Sequence, residues 1–287
     1  MRRNVEIIGA CCDLGVHVDG ANEGPLILEK NIKNKFKNVF PKETIKNKEK
    51  NNFKKNIEEI YLYNKKLYEE VSNSLNSDMF PITIGGDHSI AVASALASIN
   101  KYDNLGIIWF DAHGDFNTLE TTKTGNIHGL PFAVLTNYDK MFLTEYHKVN
   151  FFYCKNAVLV GARDIDYPYE YNNLIDAGVT IFTTNDIKKY GTEYIYNKAF
   201  EIASCGTNGI HVSYDLDVID PTLAPGVSVP VENGINLKQA FDFVDIMIKN
   251  KNIIKSIDLV EFNPRFDKEN KTLNIATEII NKIIDEY

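Results

Sequence analysis

The sequence predicts an α/β protein built on a parallel sheet, and three observations carry that prediction. Short apolar runs alternate with longer mixed segments along the whole chain. Most of those runs are continuously apolar rather than alternating, as strands buried on both faces of a sheet are. No internal repeat and no Pro/Gly/Ser-rich linker divides the 287 residues, so one domain spanning 1–287 is expected.

In chain order, residues 4–9 (NVEIIG) form the first strand and 79–84 (MFPITI) the next. Residues 105–110 (LGIIWF), 157–160, 179–183, 210–214 and 253–260 complete the set. Helical patterns fill the intervals at 56–75, 89–98, 169–177, 192–204, 237–249 and 272–284. Tyr61, Tyr63 and Tyr68 read as one face of the 56–75 helix rather than a stacking platform. In such sheets ligands bind beyond the carboxyl ends of the strands, so chemistry belongs in the residues just after each strand.

Composition narrows the class. With 44% hydrophobic and 24% charged residues the chain has a globular balance, which excludes intrinsic disorder and fibres. No apolar stretch approaches the roughly 18–20 residues a membrane span needs. Glu6 and Asp13 interrupt the N-terminal run before it resembles a signal peptide, so a cytoplasmic protein with no membrane partner is expected. The four cysteines form no Cys-x-x-Cys pair and read as buried free thiols in a reducing compartment. Net charge is −8, unevenly spread: residues 30–55 carry ten lysines against Glu43 and Glu49. That stretch has no arginine and few aromatics, so it reads as a solvated helix or loop and not as a nucleic-acid arm.

Four predicted strands end in polar clusters. Strand 79–84 runs into Gly85-Gly86-Asp87-His88-Ser89, and strand 105–110 into Asp111-Ala112-His113-Gly114-Asp115. Strand 210–214 ends in Asp215-Leu216-Asp217, and strand 253–260 in Glu261-Phe262-Asn263-Pro264. Residues two apart on extended backbone point the same way, so Asp111, His113 and Asp115 can converge, as can Asp215 and Asp217. Packed together, four carboxylates repel one another unless cations neutralise them. Two divalent ions balance the charges of Asp111, Asp115, Asp215 and Asp217, with His88 and His113 as neutral nitrogen ligands. So few side chains serve two ions only if some carboxylates bridge. Oxygen-rich ligation with imidazole and no thiolate favours Mn²⁺, while Zn²⁺, Co²⁺ and Ni²⁺ stay open by ligand type. A water shared by two ions ionises near neutral pH, and the chemistry expected is metal-assisted hydrolysis.

The segments GGDHS (85–89), DAHGD (111–115) and SYDLDVIDP (213–221) resemble the three signature stretches of the ureohydrolases, the arginase–agmatinase family. The likeness extends from IGA…EGP (8–25) to DLVEFNP (258–264). It implies a three-layer α/β/α fold around an eight-stranded, mostly parallel sheet, two Mn²⁺ per subunit, and hydrolysis of a guanidino or related amidino carbon. It also implies a homo-oligomer, trimer or hexamer. Carried across by position, the resemblance assigns one ion to His88, Asp111, Asp115 and Asp215, and the other to His113, Asp111, Asp215 and Asp217. Asp115 would orient the metal-bridging hydroxide that attacks the substrate, and Glu261 would hold the substrate's cationic group.

Residues 111–131 look like the arginase branch, which implies L-arginine as the small-molecule substrate and L-ornithine and urea as products. Asn117, Thr122 and Thr124 match arginase residues that contact the substrate's α-substituents, and Asp166 matches the aspartate that meets its α-ammonium. His128, in Gly125–Gly129, stands at the proton-shuttle position, where an imidazole suits protonation of the leaving amine. Residues 226–230 read Gly-Val-Ser-Val-Pro where many arginases read Gly-Thr-Gly-Thr-Pro, so Val229 replaces a threonine near the guanidinium. The APGVS stretch (224–228) is also similar to formimidoylglutamases. Agmatinase or formimidoylglutamase activity on the same site, and a non-catalytic metal-binding role, are the alternatives. Asp87, Asp220, His17, His147 and His211 read as structural.

Overall fold

The computed structural model describes residues 3–42, 53–140 and 150–287, with side chains of the helix at 53 described from residue 56 onward. Eight strands form one sheet: β1 (Val5–Ala10), β2 (Phe36–Val39), β3 (Phe80–Gly85), β4 (Gly106–Phe110), β5 (Ala157–Ala162), β6 (Thr180–Thr183), β7 (Ile210–Asp215) and β8 (Ile254–Val260). Their spatial order is β2-β1-β3-β8-β7-β4-β5-β6, and every pairing is parallel. The helices are α1 (Gly24–Glu29), α2 (Phe53–Asn76), α3 (Ala91–Tyr102), α4 (Pro131–Leu135), α5 (Tyr169–Ala177), α6 (Thr184–Tyr190), α7 (Thr192–Ser204), α8 (Leu237–Lys249) and α9 (Lys271–Glu286).

Continuous apolar strands require a core on both faces, and both are present. Ile7, Ile108 and Phe110 pack with residues of α1 and α6–α9 on one side. Their neighbours Ile8, Ile107 and Trp109 pack with residues of α2–α5 on the other. The three-layer arrangement follows from this alternation of buried faces. Tyr63 is buried in the second core, with Tyr61 and Tyr68 packed against it. That face also holds a polar network: His211 meets Ser256 through Nδ1 (2.7 Å) and Asp258 through Nε2 (3.0 Å), and Ser94 donates to Asp258 (2.7 Å). His211 thus has a structural environment.

The seven strands expected from apolar runs are all present, with ends shifted by one or two residues. The eighth, β2, lies inside the lysine-rich stretch, where a solvated helix or loop was expected. An edge strand pairs on one side only, so Lys37 and Asn38 coexist with Phe36 and Val39 turned inward. Lys37 forms an ion pair with Glu70 of α2. The rest of that stretch from 43 to 52, and His147, lie outside the described residues. Helices α1, α4 and α6 were also unexpected; at 6, 5 and 7 residues they span too few turns to show a periodicity. All four cysteines are free, but only Cys11 and Cys12 are buried, and Cys205 is exposed, against the expectation. Among the described residues no helix is long and apolar enough to cross a membrane.

Candidate metal centre and substrate cleft

The four strands with polar ends, β3, β8, β7 and β4, are neighbours at the centre of the sheet. Their carboxyl ends therefore deliver His88, Glu261, Asp215 and Asp111 to one spot, although the chain separates the first and second by 173 residues. The Gly-Gly before Asp87 has a steric reason. A Cβ on Gly86 would stand 1.7 Å from the Cys12 carbonyl oxygen, and one on Gly85 would stand 2.6 Å from Val260. The β3 end thus threads between β1 and β8 at backbone contact. Asp87 then caps the turn at His88 by accepting from Ser89 N–H and also takes Gly15 N–H. Asp220 accepts from Thr222 and Gly234 N–H groups in the same structural way.

Two groups of ligand-type side chains result: His88, Asp111 and Asp215, and Asp111, His113 and Asp217. In the first, His88 Nδ1 lies 3.0 Å from Asp111 Oδ2, 3.1 Å from Asp115 Oδ2 and 3.1 Å from Asp215 Oδ2. In the second, His113 Nδ1 lies 2.9 Å from Asp217 Oδ2 and 3.5 Å from Asp111 Oδ1. Asp111 thus faces both groups, one oxygen to each. Asp215, expected as the other bridge, stands in the first group, and its Oδ1 accepts from Asp217 N–H (2.8 Å).

Three of the four carboxylates are anchored from behind. Asp111 accepts from Trp109 Nε1 (3.0 Å) and His113 N–H (2.7 Å), and Asp217 Oδ1 from Ala112 N–H (3.2 Å). Ser213 Oγ meets His88 Nε2 at 2.9 Å, and the Trp109 ring stacks on His88 with centroids 4.0 Å apart. With Nε2 engaged, His88 presents Nδ1 to three carboxylate oxygens, where that buried atom has no hydrogen-bond partner. Donor atoms about 3 Å apart suit right-angle ligation at the roughly 2.1 Å bonds of small divalent ions. The donor set therefore fits two such ions sharing Asp111.

The electrostatics point the same way. Burial opposes an imidazolium at His88, yet Asp111, Asp115 and Asp215 outweigh it and hold the ring well above its ordinary pKa. Burial, reinforced by Asp111, pushes Asp115 up to about 6. Asp215 and Asp217 are raised, chiefly by burial. At Asp111 burial is overcome by the two facing imidazoles, His113 and His88, and the carboxyl falls below its usual range. Without cations the cluster retains protons on groups that divalent ions would relieve of them. Asp115 (φ 47°) and Glu261 (φ 68°) both hold left-handed backbone, a conformation costly for residues with a Cβ.

A cleft of about 200 Å³ opens over this floor, lined by His113, Asp115, Asn117, Thr122, Thr124, His128 and Asp166 among others. Glu261 lies buried behind the cleft-lining His128, accepting through Oε1 from His88 N–H (2.8 Å) and contacting His128 Nδ1 (2.8 Å); its buried Oε2 has no partner. Burial opposes charge on both Glu261 and His128, but their mutual attraction lowers the first pKa and raises the second. Thr122 and Thr124 hold their loop by accepting from Gly125 and Asn126 N–H groups. Every site residue expected from sequence therefore reaches the cleft or its floor. Others were missed. His17, read as structural, lines the cleft and contacts Asn126 through Nδ1 (3.1 Å). Glu170 lines it too, accepting from Phe116 N–H (2.9 Å) and Asp166 N–H (2.8 Å). Neither stands at a strand end, and Glu170 could have been found only as the acid four positions after Asp166.

Fold and site together define an α/β protein with a carboxylate–imidazole floor for divalent ions at the carboxyl edge of a parallel sheet. The chain matches the Arginase family over residues 3–285 and belongs to that family. It is 35% identical to an arginase of Staphylococcus aureus, covering 98% of this chain and 97% of that one. To an arginase of Bacillus subtilis it is 34% identical, over 98% and 89% of the two chains. The solved arginase structure from Bacillus caldovelox superposes with a TM-score of 0.91 at 28% identity, covering 99% of each chain.

Proposed function

We propose that this protein hydrolyses the guanidino group of L-arginine to L-ornithine and urea, using two Mn²⁺ held by His88, Asp111, Asp115, His113, Asp215 and Asp217. The observation that carries this reading is the Asp111 carboxylate, shared between two histidine–aspartate groups beneath a cleft that carries polar residues to its mouth. The arginases to which the chain is similar along its length support the substrate. Bound there, divalent ions supply Lewis acidity and lower the pKa of water toward neutrality.

The chain's own residues do the rest. The unpartnered Oε2 of Glu261 is an acceptor suited to a guanidinium N–H, and that charge-assisted contact fixes the planar cation over the floor. Asp115, whose Oδ2 faces His88 on the floor and which lines the cleft, takes a proton from the attacking water and passes it on. His128, braced through Nδ1 by Glu261, keeps Nε2 for protonating the leaving amine. Asn117, Thr122, Thr124 and Asp166 bind the α-substituents. One observation favours a second reading. Val229 puts an apolar wall in the cleft where many arginases have a hydroxyl, which suits another amidino substrate such as formimidoylglutamate.

The test is product formation by the Mn²⁺-loaded protein from L-arginine, agmatine and formimidoylglutamate in parallel. Urea and ornithine from L-arginine, with at least tenfold lower kcat/KM for the other two, is expected. Turnover of agmatine or formimidoylglutamate above that of arginine would overturn the substrate assignment.

A further inference from the structure

The outer end of the cleft has an electrostatic problem. Its walls carry Asp164 and Asp166, and the donors meant for a substrate carboxylate, Asn117, Thr122 and Thr124, are all neutral. Asn117 Nδ2 is already turned to Asp166 Oδ2 at 3.4 Å. A carboxylate arriving there meets two acids and no formal positive charge from those donors. Arg163, next to Asp164 in sequence, does not supply it. Its guanidinium donates to the backbone carbonyls of Gly161, Asp217, Val218, Val231 and Glu232.

Lys123, just outside the lining residues and paired with one of them, is placed to supply it. It sits between Thr122 and Thr124 on the same loop, and its Nζ lies 2.8 Å from Asp166 Oδ1. The lysine is about half exposed, so the ammonium has donors to spare and room to turn. Side by side, Lys123 and Asp166 present one cation and one anion, complementary to the carboxylate and ammonium of an α-amino acid. An amine without the carboxylate brings its ammonium beside that of Lys123 and gains nothing from it.

We propose that Lys123 is a specificity-determining residue whose ammonium receives the substrate's carboxylate and selects guanidino amino acids over decarboxylated guanidino amines. This deepens the arginine reading and rests on it for the orientation of the substrate. Lys123 touches no reacting atom, so its effect belongs in KM.

The experiment compares the Mn²⁺-loaded wild type with Lys123→Gln and Lys123→Arg. The substrates are L-arginine, agmatine (which lacks the carboxylate) and 5-guanidinopentanoate (which lacks the α-ammonium). Lys123→Gln is expected to raise KM for arginine and 5-guanidinopentanoate about three- to tenfold, with kcat within about twofold. Agmatine KM should stay level or fall, and Lys123→Arg should restore most of the arginine KM. Calorimetric binding of L-ornithine against 1,4-diaminobutane reads the same preference without turnover. A wild type that binds ornithine preferentially but releases no urea from arginine therefore refutes the activity and leaves the Lys123 assignment to the Gln variant. Arginine KM and ornithine affinity unchanged or improved in Lys123→Gln, or no wild-type preference for carboxylated ligands, would overturn the proposal.

Discussion

The Glu170 carboxylate is buried against the loop after β4, accepting Phe116 N–H through Oε1 and Asp166 N–H through Oε2. Burial pushes its pKa up to about 7 despite those two donors. The folded protein thus holds this proton more tightly than the unfolded chain, whose glutamate titrates near 4.5. The resulting stability is fully present below the unfolded value and is lost as pH rises through about 7. Replacing it by Gln removes that dependence and costs a constant amount for the mismatched donor. Between about pH 5 and pH 8, Glu170→Gln should gain about 2 kcal/mol relative to wild type, measured by denaturant unfolding with chelator present. Parallel pH profiles for the two proteins would show that the carboxylate is already ionised in the fold. Glu170 was invisible in the sequence because nothing marks a helical acid as buried, whereas Asp111 and His113 advertised themselves by two-residue spacing at the end of an apolar strand.

Strands were more legible than helices here, for a physical reason. A strand buried on both faces is mostly apolar, so β3, β4 and β5 stand out as blocks. The edge strand β2 escapes that requirement, and the short α1, α4 and α6 bury too few residues to leave a pattern. What the sequence did not reveal was the spatial order, in which β8 and β7 insert between β3 and β4 and unite the four polar ends. The Gly85-Gly86 step is the junction most sensitive to that order. Gly86 N–H donates to Ala10 and its carbonyl accepts from Glu261 N–H, so the residue ties β1 to β8. Gly86→Ala drives a Cβ into the Cys12 carbonyl, backbone against backbone, and should cost about 3 kcal/mol or more. An unfolding midpoint equal to wild type would mean that the β1 and β3 ends separate freely.

The molecule as a whole stores a cluster of like charges at the centre of its sheet. That arrangement is stable to the extent that protons or cations neutralise it, which couples folding to metal binding. The anchoring hydrogen bonds from Trp109, Ala112 and Asp217 hold the carboxylates apart in readiness. Chemistry and fold are therefore specified by the same four strand ends. The most direct test is to titrate metal-free protein with Mn²⁺ and follow urea release from L-arginine against bound metal. Two ions sharing Asp111 predict that urea release depends on metal and reaches its plateau at about two equivalents per chain, with Asp111→Asn retaining less than one. Full activity without metal, a plateau at one equivalent, or no urea from arginine at two would contradict the account.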